Sequence, residues 1–169
     1  SPTEPIAPIR AADERVVLAG YTFASERVVE ELIAARDRGV SVRVLLDGGP
    51  VAGISARQAE VLDALVAAGV EVRVLAGPHA RFRYHHAKYA VADDAAVVLT
   101  ENWKPSGTGG GDSRGWGVTL RSPRVAAALA NLFRADAGWR DAIAWDRYRA
   151  GRSFERTDAA TGSYPSRHP

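Results

Sequence analysis

The stretch Tyr84-His85-His86-Ala87-Lys88-Tyr89-Ala90-Val91-Ala92-Asp93-Asp94 carries the residue types best suited to chemistry. Read as a β-strand ending in a turn, it sends His86, Lys88, Ala90 and Ala92 to one face, because strand side chains alternate. An imidazole and an ammonium then sit side by side, roughly 7 Å apart along the strand. The flanking residues are small or apolar, which suits a strand buried in a sheet. An ammonium in that setting is costly unless an anion meets it. Histidine and lysine on one face, aimed at a shared anion, form a phosphate-handling arrangement.

The next run, Ala95 to Asn102, reads as a second strand reached through a tight turn at Asp93-Asp94. A three-residue turn over 93–95 sets Lys88 opposite Thr100 and His86 opposite Asn102, four polar residues on one face of an antiparallel pair. A two-residue turn instead brings Leu99 and Glu101 to that face. Two-residue hairpins prefer glycine at the turn and none is present, so the three-residue turn is the expectation.

His86-x-Lys88-x4-Asp93, followed by Thr100-Glu101-Asn102, resembles the signature of the phospholipase D superfamily, H-x-K-x4-D, then six residues, then G-S-x-N. The first part matches in full. In the second, glycine and serine are missing and Asn102 comes one residue early, with Thr100 as a substitute hydroxyl. Leu18-Ala-Gly-Tyr-Thr-Phe23, Ala35-Arg-Asp-Arg-Gly-Val40 and Val42-Arg-Val-Leu-Leu-Asp47 also look like that family, so the likeness runs from about Val16 to Arg149. The length resembles its small single-motif members, which are nucleases and work as homodimers. Larger members, phospholipases among them, carry two motifs in one chain.

The resemblance implies a metal-independent phosphodiesterase with no cofactor. His86 attacks phosphorus, a second histidine protonates the leaving oxygen, and Lys88 and Asn102 hold the phosphate oxygens. The second histidine comes from a homodimer or from a second phospholipase D-like domain of a longer chain. Asp93 completes the catalytic motif, but its parity is opposite to that of His86. A turn-forming or backbone-holding role suits it better. Thr100, Glu101, Ser113 and Arg83 are the candidate substrate contacts, the substrate being nucleic acid or phospholipid. Small members also carry N-x-E near the last strand, whose glutamate orients the imidazole. Here that stretch is Ser113-Arg114-Gly115-Trp116, and Asp112, Ser113 or a backbone carbonyl must serve instead. The altered second half and the missing glutamate keep a rival reading open: a degenerate, non-catalytic half that binds phosphate or supports an active partner domain.

Other sites are less favoured. His85 faces away from His86 and reads as structural; adjacent strand residues point apart, which disfavours a zinc site from His85, His86 and Asp93 or Asp94. The Gly-rich loop from Lys104 to Arg114 follows Asn102 and is expected over the site, but it does not fit a nucleotide-binding P-loop. Arg81 and Arg83 either draw in an anionic substrate or are solvated charges.

The 169 residues suffice for one domain with a core. A net charge of +2 does not by itself point to nucleic acid. The basic residues are 20 Arg and 2 Lys, so the lysine at position 88 departs from the chain's habit. Cysteine is absent, which excludes disulfides and thiolate metal sites. Methionine is absent even at position 1, so the chain reads as a soluble domain excised from a longer product, with a secreted or membrane-anchored parent left open. No apolar run nears the roughly 20 residues of a membrane span.

The elements that must position the site follow in order. Residues 1–10, with three prolines, read as an irregular lead-in. Glu14 to Phe23 reads as a buried strand, Ser25 to Arg38 as a capped helix stopped by Gly39, and Val40 to Leu46 as a second strand. Ser55-x-x-Gln58 opens a helix to Ala68, and Val70 to Leu75 is the third strand. This β-α-β-α-β order predicts an α/β fold: a mixed, largely parallel sheet with helices on both faces, here a phospholipase D-like domain over residues 1–150. Gly115 to Arg121 is a further strand. Ser122 and Pro123 open a helix with Val125, Leu129, Leu132 and Phe133 inward, and Trp139 to Tyr148 is expected to be helical. Residues 151–169 read as a polar, poorly ordered tail.

Overall fold

The structure is a computed structural model and describes residues 4–108 and 115–154. Its centre is an open seven-stranded sheet in the order β6-β5-β4-β1-β2-β3-β7. The strands are β1 (Arg15–Gly20), β2 (Ser41–Asp47), β3 (Glu71–Leu75), β4 (Tyr89–Ala92), β5 (Ala95–Leu99), β6 (Gly117–Arg121) and β7 (Ala142–Ala144). The helices are α1 (Ala7–Arg10), α2 (Glu26–Asp37), α3 (Ala56–Ala67), α4 (Pro123–Ala137) and α5 (Trp145–Arg149). β1, β2 and β3 run parallel, as the β-α-β-α-β order requires, while β4, β5, β6 and β7 join antiparallel. The mixed α/β fold thus matches the sequence reading, with the parallel part confined to three strands.

Both crossover helices start where the sequence caps them. The Ser25 hydroxyl accepts from the Val28 amide and the Ser55 hydroxyl from the Gln58 amide. Each helix is followed by a glycine in the left-handed region, Gly39 and Gly69. Alternation along the strands sorts the core in two. Val16, Leu18, Val44, Leu46, Val72 and Val74 face α1, α2, α3 and α5, whereas Val17, Ala19, Leu45, Tyr89 and Val91 face α4.

Four expectations need correction. The lead-in is not irregular throughout, because residues 7–10 form α1 and Ile6 and Ile9 are fully buried. Apolar side chains at that spacing leave the segment no solvated alternative. The inner stripe of α4 is rotated: Ala126, Phe133 and Ala137 are buried, while Leu132 is half exposed. The segment 139–148 is not one helix, since Ala142–Ala144 adds to β3 as an edge strand before α5 begins. Finally, the turn after β4 has two residues, for Ala92 pairs with Ala95 and Tyr89 with Val98. Asp93 takes the left-handed conformation (φ 50) that glycine would otherwise supply, and aspartate is among the few residues that tolerate it.

The Asp93 carboxylate accepts from the amides of Asp13, Glu14 and Arg15, at 2.8, 3.1 and 2.9 Å. It therefore ties the hairpin to the entry of β1. Burial pushes this carboxyl up, but the three amides hold it below its ordinary range. Asp93→Ala leaves those amides without their acceptor and is expected to lower stability by roughly 1–3 kcal/mol in urea unfolding at neutral pH. Because the folded value is the depressed one, the carboxylate's contribution is complete above the ordinary 3.8 and disappears as the pH falls through the lower folded value. The gap between wild type and variant should close in that acid range. A gap that is constant with pH would contradict this account.

Candidate active site

The site lies where the chain approaches β4 and leaves β5. Residues 84–88 form an extended strap rather than part of β4, although the Leu99 amide still donates to the Lys88 carbonyl. Lys88 is buried, whereas His86 beside it is exposed. Lys88 Nζ lies 2.8 Å from Nδ1 and 3.1 Å from Nε2 of His86, and donates to the His86 carbonyl oxygen at 2.8 Å. The Tyr21 ring, from the loop after β1, stands 4.6 Å from the imidazole between centroids and 5.7 Å from Nζ. Tyr21 was visible in the sequence only as a member of the Leu18–Phe23 stretch.

Burial lowers the Lys88 ammonium below its ordinary value, and the Glu101 carboxylate works against that fall. No carboxylate oxygen lies within ion-pair distance of Nζ among the described residues. A desolvated cation beside an exposed imidazole is suited to receive an anion.

The two-residue turn changes which residues meet this pair. The Leu99 amide bonds to the Lys88 carbonyl, which carries the ladder one step past Tyr89 and Val98 and leaves Glu101 two residues beyond it. Thr100 turns to the other face, where its hydroxyl accepts from the Trp116 amide at 2.9 Å and donates to the Trp116 carbonyl at 3.1 Å. The expected placement of Thr100 beside Lys88 is therefore overturned. Asn102 lies past the end of β5, and its carboxamide oxygen is buried without a hydrogen-bond partner. It is held from behind by Trp103, fully buried, whose indole donates to the Ala19 carbonyl at 2.9 Å and whose carbonyl accepts from the Ala24 and Ser25 amides. Sequence reasoning passed over Trp103 as an anchor, although it directly follows Asn102.

The Glu101 side chain lies over Gly115. A Cβ at position 115 would come 2.0 Å from Glu101 Cγ and 2.6 Å from its Oε1. Asp93, counted with the catalytic set by motif, is at the opposite end of β4 from His86 and binds backbone amides instead. Ser113 and Asp112 lie outside the described residues. Arg83 is exposed and stacks over Tyr84, whereas Arg81 is bound to Asp141 and Asp136. His85 points away: its amide donates to Asp47, its Nδ1 is buried without a partner, and burial pulls its imidazole below the ordinary value. Among the described residues no group of three or more His, Cys, Asp or Glu is placed to hold a metal ion.

Residues 6–137 match the family described as "Cardiolipin synthase, PLD-like domain". The chain belongs to the phospholipase D superfamily. No curated protein matches it. Among solved structures it is similar to Nuc, a phospholipase D family member from Salmonella typhimurium, with 18% identity, a TM-score of 0.71 and coverage of 85% of this chain and 93% of that one. NucT from Helicobacter pylori gives 14% identity, a TM-score of 0.69 and coverage of 83% and 87%. TrmBL2, an archaeal chromatin protein whose structure shows a novel mode of DNA binding, gives 19%, 0.54 and coverage of 80% and 47%. At these identities the likeness shows the fold.

Lys88 is held in the apolar sheet at a cost. Lys88→Met is therefore expected to unfold at the same or a higher urea concentration than wild type at neutral pH, while losing inorganic phosphate binding measured by calorimetry. The sign follows from the depressed folded value: the penalty is complete below it and fades as pH rises toward the ordinary 10.5, so wild-type stability should gain on the variant with alkaline pH. Marked destabilisation of Lys88→Met at neutral pH would count against a functional lysine.

Proposed function

We propose that the chain is a metal-independent phosphodiesterase acting through a phosphohistidine. The observation that carries this reading is the exposed His86 imidazole in contact with the buried Lys88 ammonium. A neutral His86 nitrogen attacks phosphorus, and the bond from phosphorus to the leaving oxygen breaks. A second histidine gives that oxygen its proton. The same histidine then takes a proton from water as the water attacks phosphorus, and the phosphorus–nitrogen bond breaks. Lys88 offsets the charge that develops on the equatorial oxygens, with Asn102 as a further donor. Nucleic acid and phospholipid both present the required diester. Arg83, exposed beside the strap, is suited to the flanking charge of either.

One chain brings one such histidine, so the second comes from another copy or from a second phospholipase D-like domain of a longer chain. The surface that fits this role is the apolar edge of the sheet. Val98, Val118 and Leu120 are exposed on the face away from the main core, and Trp116 is 75% exposed. Trp116 pairs through its backbone with Thr100, so this edge reaches the end of β5 on the face of the sheet opposite to Lys88. A two-fold contact there would join two copies along that edge.

Hydrolysis of bis-aryl phosphate is expected to survive excess EDTA and to be lost in His86→Ala, with acid-labile, base-stable phosphate trapped on His86 during turnover. His85→Ala should keep the chemistry. Loss of turnover with EDTA, restored by zinc or magnesium, would refute the covalent route; a folded protein with no turnover in any assembly would favour the non-catalytic half. Light scattering should show a dimer for the wild type and a shift toward monomer in Trp116→Ser. A strict monomer that turns over substrate would remove the second-copy requirement.

A further inference from the structure

Lys88 has no anionic hydrogen-bond partner within the described residues. The groups that face it are the ring and carbonyl of His86 on its own strap, the Tyr21 ring, and Glu101 beyond β5. The other carboxylates on the neighbouring elements are committed elsewhere: Asp47 accepts from the Gly49 and His85 amides, and Asp93 sits at the far end of the hairpin. The ladder, extended by the bond from the Leu99 amide to the Lys88 carbonyl, leaves Glu101 two residues past the partner of Lys88. What makes room for it is position 115, next to β6. The nearest atoms to a Cβ there, at 2.0, 2.6 and 2.7 Å, all belong to the Glu101 side chain. Gly115 has no positive φ, so its lack of a side chain answers to space and not to backbone conformation.

We infer that Glu101 is a positioning residue of this site: its carboxylate, seated in the space that Gly115 leaves open, is the anion that keeps the Lys88 ammonium charged and in place until a phosphate arrives. The inference rests on the phosphodiesterase reading for its catalytic consequence, but the Glu101–Lys88 coupling does not. A carboxylate stabilises the charged form of a half-desolvated amine. It also competes with the incoming phosphate, so its seat must be near the ammonium without bonding to it. Glu101 suits both conditions: its side chain packs against Gly115 two residues past Leu99, whose amide binds the Lys88 carbonyl, and among the described residues it makes no ion pair with the ammonium. The pair Glu101 and Gly115 is thus one device carried on the segments that leave β5 and enter β6, and the carboxylate can be offered from either.

That interchange is the test. The chain's lysines are Lys88 and Lys104, so a lysine-labelled sample gives two side-chain carbon signals by NMR, told apart with Lys104→Arg. The Lys88 titration midpoint is expected to fall by about one unit in Glu101→Gln. It should recover toward wild type in the double variant Glu101→Gly with Gly115→Glu. In bis-aryl phosphate turnover, Glu101→Gly and Gly115→Glu should each lose about tenfold or more, the second through its clash with the resident Glu101. Combined, they should regain most of that loss. A Lys88 midpoint unmoved in Glu101→Gln would overturn the inference, as would a double variant no better than the worse single one. If the wild type itself shows no turnover, the phosphodiesterase reading fails while the lysine titration still decides the coupling.

Discussion

The hairpin turn at Asp93-Asp94 is the constraint on which the site depends. Strand side chains alternate, so a shift of one residue at this turn would exchange the neighbours of Lys88 on β5. Asp93 fixes the shorter turn twice over. Its backbone adopts the left-handed conformation, and its carboxylate binds the amides of Asp13, Glu14 and Arg15. The second bond set also locks the hairpin to β1, the strand beside it. An acidic residue in the middle of a phosphate-handling motif would repel substrate if it stood near the imidazole. Here it stands at the far end of β4 and acts through register.

Lys88 presents the opposite economy. Among the described residues Lys88 makes no ion pair, and its burial depresses the ammonium. The strap that carries it leaves the regular ladder just before β4, which lets the imidazole reach solvent while the lysine stays beneath it. An ammonium stripped of water interacts more strongly with an arriving phosphate than a solvated one does, because screening by water is reduced. On the proposed reading, the cost in stability and the gain in phosphate binding have one cause.

The order of strands and crossover helices was legible because Ser25, Ser55, Gly39 and Gly69 mark the helix ends, and these are local signals. The existence of the His86–Lys88 pair was legible for the same reason. Register was not, since the turn rule favoured glycine and Asp93 met the same conformational need with a side chain that also found tertiary partners. Thr100 was misplaced as a direct consequence. β7 was hidden because Ala142–Ala144 is too short to show periodicity and is defined by its partner Leu75. The rotation of α4 has a similar origin: Ala126 and Ala137 are weakly apolar, yet the close approach of the helix to β4 and β1 selects them over Leu132. Gly115 read as a missing glutamate. Only the structure shows that its emptiness is filled by Glu101.

The two faces of the sheet are covered unequally. One is covered by α1, α2, α3 and α5, and the other by α4 alone among the described residues. α4 shields the middle strands and leaves Val98, Trp116, Val118 and Leu120 toward solvent on the β5–β6 edge. An apolar edge strand is a liability that folds usually blunt with charge or cover with another element. Here Arg121 is the charge at the end of β6, and the apolar residues run back from it to Trp116. Among the described residues Trp116 is the most exposed aromatic side chain of this edge. The uncovered apolar residues and the His86–Lys88 pair thus lie on opposite faces of the sheet, with Thr100 bonded to Trp116 on the one and Lys88 buried on the other.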